Sequence, residues 1–321
     1  MFKKTLLATA MALTAAAGSA SAEATITAAS CWSEGSFFSK RLEALIKTVN
    51  EKGAGTIKID YVGGAPAIGS PFTVVQKTSQ GVYDFVVCTG AYYANVLPQA
   101  DAYKMMEKTP AEVRANGGWD IMEQVHRTKN LMPIARIHHG VQFHLFLADG
   151  HKIDKPDLTG KHLRVVPIYT NFFKAMGATT QNSSGAQIFT LMENGTVNGY
   201  GWPVIGHQPG WETVTKYRVD PGFYDVDLQF IANASVWDGL PEAARKLILE
   251  EAIAIETAAT EGDPKLAAKV GAKQAAEDFE IITFTGADAE AWVGGSRDAG
   301  WAGLAEIDAE LAAKLRPLFS N

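Results

Sequence analysis

Between Thr25 and Cys88 the chain alternates strand and helix patterns, and this alternation constrains the fold more than any other feature. Thr25 to Ser30 reads as a strand. A helix follows over 36–52, with Phe38, Leu42, Leu45, Ile46 and Val49 recurring at helical spacing on one face. Residues 56–62 alternate as a second strand, and Gly63-Gly64-Ala65-Pro66 makes a turn. Residues 72–80 form a helix ending at Gly81, and Tyr83 to Cys88 is a third strand, apolar at nearly every position. Strand, helix, strand, helix, strand is the order of a mostly parallel sheet with right-handed crossovers, its inner strand covered on both faces.

The pattern then restarts. A helix over 111–129 and two strands, 132–138 and 141–148, turning around Gly140, lead into a second block. That block has strands at 163–166, 179–181 and 197–202, with helices at 170–176 and 184–193. A strand at 227–234 is placed to return to the first block. Residues 241–280 have helical Ala, Glu and Lys spacing, which Asp263-Pro264 is expected to bend or divide. A short strand at 281–284 and closing helices over 288–318 follow. The expectation is an α/β chain of two lobes with crossing hinge strands and a long C-terminal helix. One lobe takes 23–148 with 235–321, and the other takes 149–234.

Lys3 and Lys4, the apolar run Leu6 to Ala17 and the small residues Ala20-Ser21-Ala22 read as a secretory signal peptide cleaved after Ala22. The formal net charge is −6 and no basic cluster stands out, so nucleic acid is not an expected partner. No later stretch is apolar enough to span a bilayer, so no stable membrane insertion is expected. The two cysteines, Cys31 and Cys88, end the first and third strands, which are neighbours in an open sheet of this type. A disulfide and two free thiols are both open, and both residues are expected to border a cleft.

The signatures of common enzymes are missing: no nucleophile elbow, no phosphate-binding loop, no paired-histidine zinc motif. No cofactor and no catalytic residue is expected. His138, His139 and His144 are close in sequence, and the first and last share a strand parity; polar positions at a strand turn are favoured over a metal site.

Four stretches carry a resemblance. Asp157 to Val165 (DLTGKHLRV) resembles a D-L-x-G-x-K-x-R-V pattern. Tyr169 to Ala178 (YTNFFKAMGA) resembles Y-x-x-F-F-K-A-L-G-A. Ala186 to Pro203 (AQIFTLMENGTVNGYGWP) resembles S-E-V-Y-T-A-L-Q-x-G-x-V-D-G-x-E-N-P, and Trp237 to Pro241 (WDGLP) resembles W-D-x-L-P. Together they are similar to the extracytoplasmic receptors of tripartite ATP-independent periplasmic (TRAP) transporters, of the dicarboxylate-receptor type. The resemblance implies a two-lobed periplasmic binding protein fold, a small carboxylate ligand, and small and large integral-membrane subunits as partners. It places the carboxylate-holding role on Arg164. The alternatives are the receptor of an ATP-driven importer and a periplasmic enzyme on the same scaffold.

The physics of Arg164 points the same way. It sits in an otherwise apolar strand, where a buried charge needs an anion, either an internal Asp or Glu or a bound carboxylate, and a guanidinium matches a carboxylate bidentately. The sequence departs from the family pattern at several positions. Gly201-Trp202-Pro203 replaces Glu-Asn-Pro, Phe189 replaces a tyrosine, and Val141 to His144 has no second arginine. A metal-bridged site is therefore not expected. The site is expected to take a monocarboxylate with an apolar or aromatic body. Its walls would be Trp32, Tyr92, Tyr169, Phe189 and Trp202. Gln142, His144, Ser183, Ser184 and Thr170 would supply hydrogen bonds.

Overall fold

The computed structural model describes residues 23–320. The signal-peptide reading and its cleavage site lie outside the described residues.

In chain order the first elements are β1 (Ala24–Ser30), α1 (Lys40–Lys52), β2 (Ile57–Gly64), α2 (Val74–Ser79), β3 (Phe85–Thr89), α3 (Gly90–Tyr93), α4 (Pro110–Ala115), α5 (Gly118–Arg127) and β4 (Leu131–Arg136). Then come β5 (Gln142–Leu147), β6 (His162–Val165), α6 (Pro167–Ala175), β7 (Thr179–Asn182), α7 (Ile188–Glu193), β8 (Gly199–Pro203), β9 (Tyr217–Asp225) and β10 (Leu228–Asn233). The chain closes with α8 (Ala234–Gly239), α9 (Glu242–Glu277), β11 (Glu280–Thr283), α10 (Gly286–Ile307) and α11 (Ala309–Phe319).

These strands form two sheets, ordered β2-β1-β3-β10-β4 and β11-β9-β5-β8-β6-β7. Each has a single reversed strand, β10 in the first and β5 in the second. With its helices, each sheet forms one lobe of an α/β fold. Inner strands are buried on both faces: every residue of β3, β8 and β10 is buried. This explains their near-continuous apolar or small-residue runs.

Strand membership differs from the expected boundaries at 148 and 234. β5 is a central strand of the second sheet, not the end of the first lobe. β10 lies between β3 and β4 in the first sheet, and β11 adds to the edge of the second. Side-chain alternation tells which face of a strand is buried, not which sheet the strand joins. The chain crosses between sheets three times, at 137–141, at 226–227 and through α8 and α9 to β11.

Three element readings also change. The helix expected over 111–129 is two, α4 and α5, because Gly117 adopts φ +84°, which ends a right-handed helix. β9 was hidden by Asp220-Pro221-Gly222, which reads as a turn; the strand carries these residues through a shift in its pairing with β5. α9 is one helix of 36 residues despite Pro264. Its buried stripe (Ala244, Ile248, Ala252, Glu256, Ala259 and Asp263) steps by three or four residues and continues up to the proline.

Buried contacts anchor α9 to both lobes. Glu256 accepts from Arg114 Nη2 at 3.0 Å and from the Arg136 amide at 2.7 Å. Gln274 accepts from Arg218 Nη1 at 2.8 Å and donates to the Val204 carbonyl at 3.0 Å. None of the described helices is long and apolar enough to cross a membrane.

Cys31 and Cys88 are bonded, with their Cα atoms 5.2 Å apart. β1 and β3 pair directly, which brings the two sulfurs together. The bond closes a separation of 57 residues. Cross-links over such loops restrict the unfolded chain, so replacing both cysteines by alanine should lower unfolding stability by about 2–4 kcal/mol. Urea denaturation under oxidising conditions measures this; an unchanged midpoint would show that the bond contributes nothing.

Candidate functional site

The C-terminal ends of β1, β3, β6 and β8 face one cleft between the lobes, where open α/β sheets bind ligands. β6 carries Arg164, paired across the sheet with Gln181 of β7 and Tyr200 of β8. Its side chain is fully buried. Nε donates to Ser183 Oγ at 3.3 Å, and Nη1 donates to Tyr169 Oη at 3.1 Å and to the Gly201 carbonyl at 3.4 Å. Nη2 donates to the Ser183 carbonyl. Every one of these acceptors is neutral. Among the described residues, no aspartate or glutamate forms an ion pair with this guanidinium.

Tyr169 stands on the first turn of α6, whose Pro167 takes a position where a missing N–H costs nothing. Its hydroxyl donates to the Gly201 carbonyl at 2.7 Å. Burial pushes this phenol up to about 12, against the pull of the Arg164 charge, so it stays a neutral donor. Gly201 has a steric reason here. A Cβ at this position would come within 2.7 Å of the Tyr169 ring, so the family's glutamate has no room.

The lobes meet through aromatic rings. Trp202 on β8 has its ring 5.8 Å from the Arg164 guanidinium and 6.0 Å from Phe38 of the other lobe. Trp32 lies 5.3 Å from Phe38 and 5.5 Å from Tyr92. Burial raises the Tyr92 phenol, while Arg164 and the Gly185 backbone favour its charged form. A cavity of about 30 Å³ lies against Arg164, and a larger one of about 390 Å³ opens beside it.

Arg164, Tyr169, Trp202, Trp32 and Tyr92, all named from sequence, wall the smaller cavity. Ser183 touches Arg164, and Ser184 lines the outer space. Others fall elsewhere. Gln142 and His144 project from the opposite face of β5 toward a separate cavity of about 670 Å³, and Phe143 between them takes the place at Arg164. Strand alternation makes these two outcomes exclusive. Phe189 packs beside Gly210, outside both cleft cavities. The Thr170 hydroxyl turns back to the Val166 carbonyl of its own helix. Cys31 borders the outer cavity, whereas Cys88 is buried behind it. Phe38 was missed as a cleft residue because it fits the apolar stripe of α1. That helix starts only at Lys40, which leaves Phe38 free to reach the other lobe.

Two α/β lobes in contact over a buried, uncompensated arginine define a solute-binding architecture. The chain belongs to the bacterial extracellular solute-binding protein family 7, whose model matches residues 28–299. That is a binding family rather than an enzyme family. A solute-binding protein of Roseobacter denitrificans is 26% identical over 142 residues, a match spanning 41% of this chain and 42% of that relative. Among solved structures, a TRAP periplasmic solute binding protein from Ralstonia eutropha with bound (S)-2-acetolactate superposes with a TM-score of 0.78 at 19% identity, covering 92% of this chain and 98% of the other. One from Desulfovibrio salexigens with bound orotic acid gives 0.77 at 19% identity, covering 92% and 97%. The ectoine-binding protein of Halomonas elongata gives 0.77 at 16%, covering 92% and 97%.

Three histidines noted in the sequence have three separate carboxylate partners. His138 Nδ1 lies 2.7 Å from Asp263, His139 Nδ1 3.2 Å from Asp225, and His144 Nδ1 2.8 Å from Asp220. Among the described residues, no three metal-ligating side chains come together. A fourth, His207, lines the outer cavity and packs 4.4 Å from Phe146 and 5.4 Å from Trp211. Burial, helped by the nearby His144 and Arg218 charges, lowers it from 6.5 to about 3. Folded His207 therefore stays neutral while the unfolded chain takes up a proton below about pH 6.5. Its contribution to stability is present above that pH and is lost as pH falls toward 3. Its Nε2 has no partner, so His207→Phe should keep the packing. The loss of stability between pH 7 and pH 4 should then be smaller in H207F by roughly 3 kcal/mol. Identical losses in both proteins, by denaturation at the two pH values, would refute the assignment.

Proposed function

We propose that this chain is the solute receptor of a TRAP transporter, exported to the periplasm after cleavage at Ala22. It would deliver its ligand to small and large integral-membrane subunits. The ligand is a small organic acid, a monocarboxylate with an apolar body, held between the lobes and returned unchanged. One observation carries this reading: a fully buried guanidinium faces a cleft cavity with only neutral acceptors around it. Burying such a charge without a counter-ion is costly, and a ligand carboxylate removes that cost. No second arginine or lysine lines the same cavity, which favours one carboxylate over two. The aromatic walls favour an apolar body.

Binding proceeds by closure. The carboxylate meets Arg164 and the Tyr169 hydroxyl on one lobe, and Trp32 and Tyr92 then cover the body from the other. The segments 137–141 and 226–227 supply the hinges. A ligand that prefers the closed form shifts the population toward it, which is the state a membrane partner reads.

Calorimetric titration with a panel of monocarboxylates tests the anchor. Arg164→Met should weaken binding by about two orders of magnitude, the worth of two charge-assisted hydrogen bonds at about 1.5 kcal/mol each. Unchanged affinity in a folded R164M protein would place the carboxylate elsewhere.

A further inference from the structure

The cleft is divided. The cavity at Arg164 and the outer cavity adjoin, with Trp32, Phe38, Tyr92 and Trp202 as walls of both. The four rings make a continuous chain across the cleft: Trp202 to Phe38 at 6.0 Å, Phe38 to Trp32 at 5.3 Å, and Trp32 to Tyr92 at 5.5 Å. They form a partition one ring thick. Its only charged neighbour is Arg164 on the inner side; no charged side chain lines the outer space.

Phe38 is the keystone of that partition. It precedes α1 and is 5% exposed. Its ring lies against Gly206 of the other lobe, where a Cβ would come within 2.6 Å of it. Gly206 also has φ +73°, and its carbonyl accepts from Trp202 Nε1 at 3.2 Å. The second lobe thus builds a seat of Trp202 and a glycine that receives one ring from the first. Behind Phe38, His138 and Phe37 pack at 5.9 and 5.2 Å and block its retreat.

The inner space is small. About 10–15 Å³ of such volume holds one water, so about 30 Å³ holds two or three. That is room for a carboxylate with a short carbon chain. We propose that Phe38 is a specificity-determining residue that restricts this receptor to the shortest monocarboxylates, of about two carbons, by narrowing the inner space against Trp202. The proposal rests on the carboxylate reading above and adds a length limit to it. A longer ligand must displace the Phe38 ring into a packed aromatic cluster, and the lobes then cannot close fully.

The test is a chain-length series, acetate to octanoate, titrated by calorimetry into the full mature protein, Phe38→Ala and Phe38→Leu. The melting temperature of each ligand-free variant establishes that it is folded. In the wild type, affinity should peak at about two carbons and fall beyond. In F38A the chambers merge, so affinity should keep rising past that length by about fourfold per added methylene. F38L should lie between. If the folded wild type binds octanoate as well as it binds acetate, or if both variants keep its length profile, Phe38 sets no limit and the proposal fails while the carboxylate anchor stands. If the folded wild type binds no member of the series, the carboxylate reading fails and takes the length limit with it.

Discussion

The structure depends on a positive charge buried without a negative one. Arg164 has four neutral acceptors and, among the described residues, no carboxylate, beside a cavity that both lobes wall. A protein that needed this arginine only for packing would have paired it, as it pairs Arg41 with Asp263 and Arg218 with Asp220. Holding an unpaired guanidinium out of water demands rigid neighbours. The surrounding design supplies them: Tyr169 fixed by the Gly201 carbonyl, Ser183 turned inward, and a strand buried on both faces.

Around that charge, the polar groups of the crossings work as fasteners. Asp225 accepts from the Gly140 and Val141 amides at 3.0 and 2.9 Å and forms an ion pair with Arg136 at 3.2 Å, tying one crossing to the other. Asp263 on α9 holds Arg41 and His138 together. Burial raises the Asp263 carboxyl, but its bonds to His138 and Arg41 outweigh that and keep it below the usual carboxylate range. These bonds join the crossings and α9 to both lobes, so they hold the lobes in their observed arrangement rather than the fold of either lobe.

Much of this was legible in the sequence because local chemistry decided it. The strand and helix alternation up to Cys88 and the buried arginine of Leu163-Arg164-Val165-Val166 needed no knowledge of distant contacts. What was not legible depended on pairing partners far along the chain. β5 and β11 joined the second sheet because alternation is silent about sheet membership, while β10 returned to the first sheet as the strand at 227–234 was placed to do. Gln142 and His144 were placed on the wrong face for the same reason; a one-residue change of phase would have named Phe143 instead. Phe38 was concealed by an accident of spacing that fits it to a helix it precedes. Gly201 looked like a loss of a ligand contact, and only the Tyr169 ring lying over it shows why no side chain fits there.

Pro264 has a consequence for how the molecule bends. It sits in α9 against Gly140 of the first crossing, close enough that a Cβ on that glycine would come within 2.7 Å of the proline ring. Proline brings no amide hydrogen, so the ladder of backbone bonds in α9 lacks a rung at the level of the hinge. On either side the helix is bolted down, by Glu256 to one lobe and by Gln274 to the other. A rod clamped at both ends and weakened in the middle flexes at the weak point. Under the closure proposed above, α9 acts less as a rigid spine than as a leaf spring whose soft spot lies beside the first crossing.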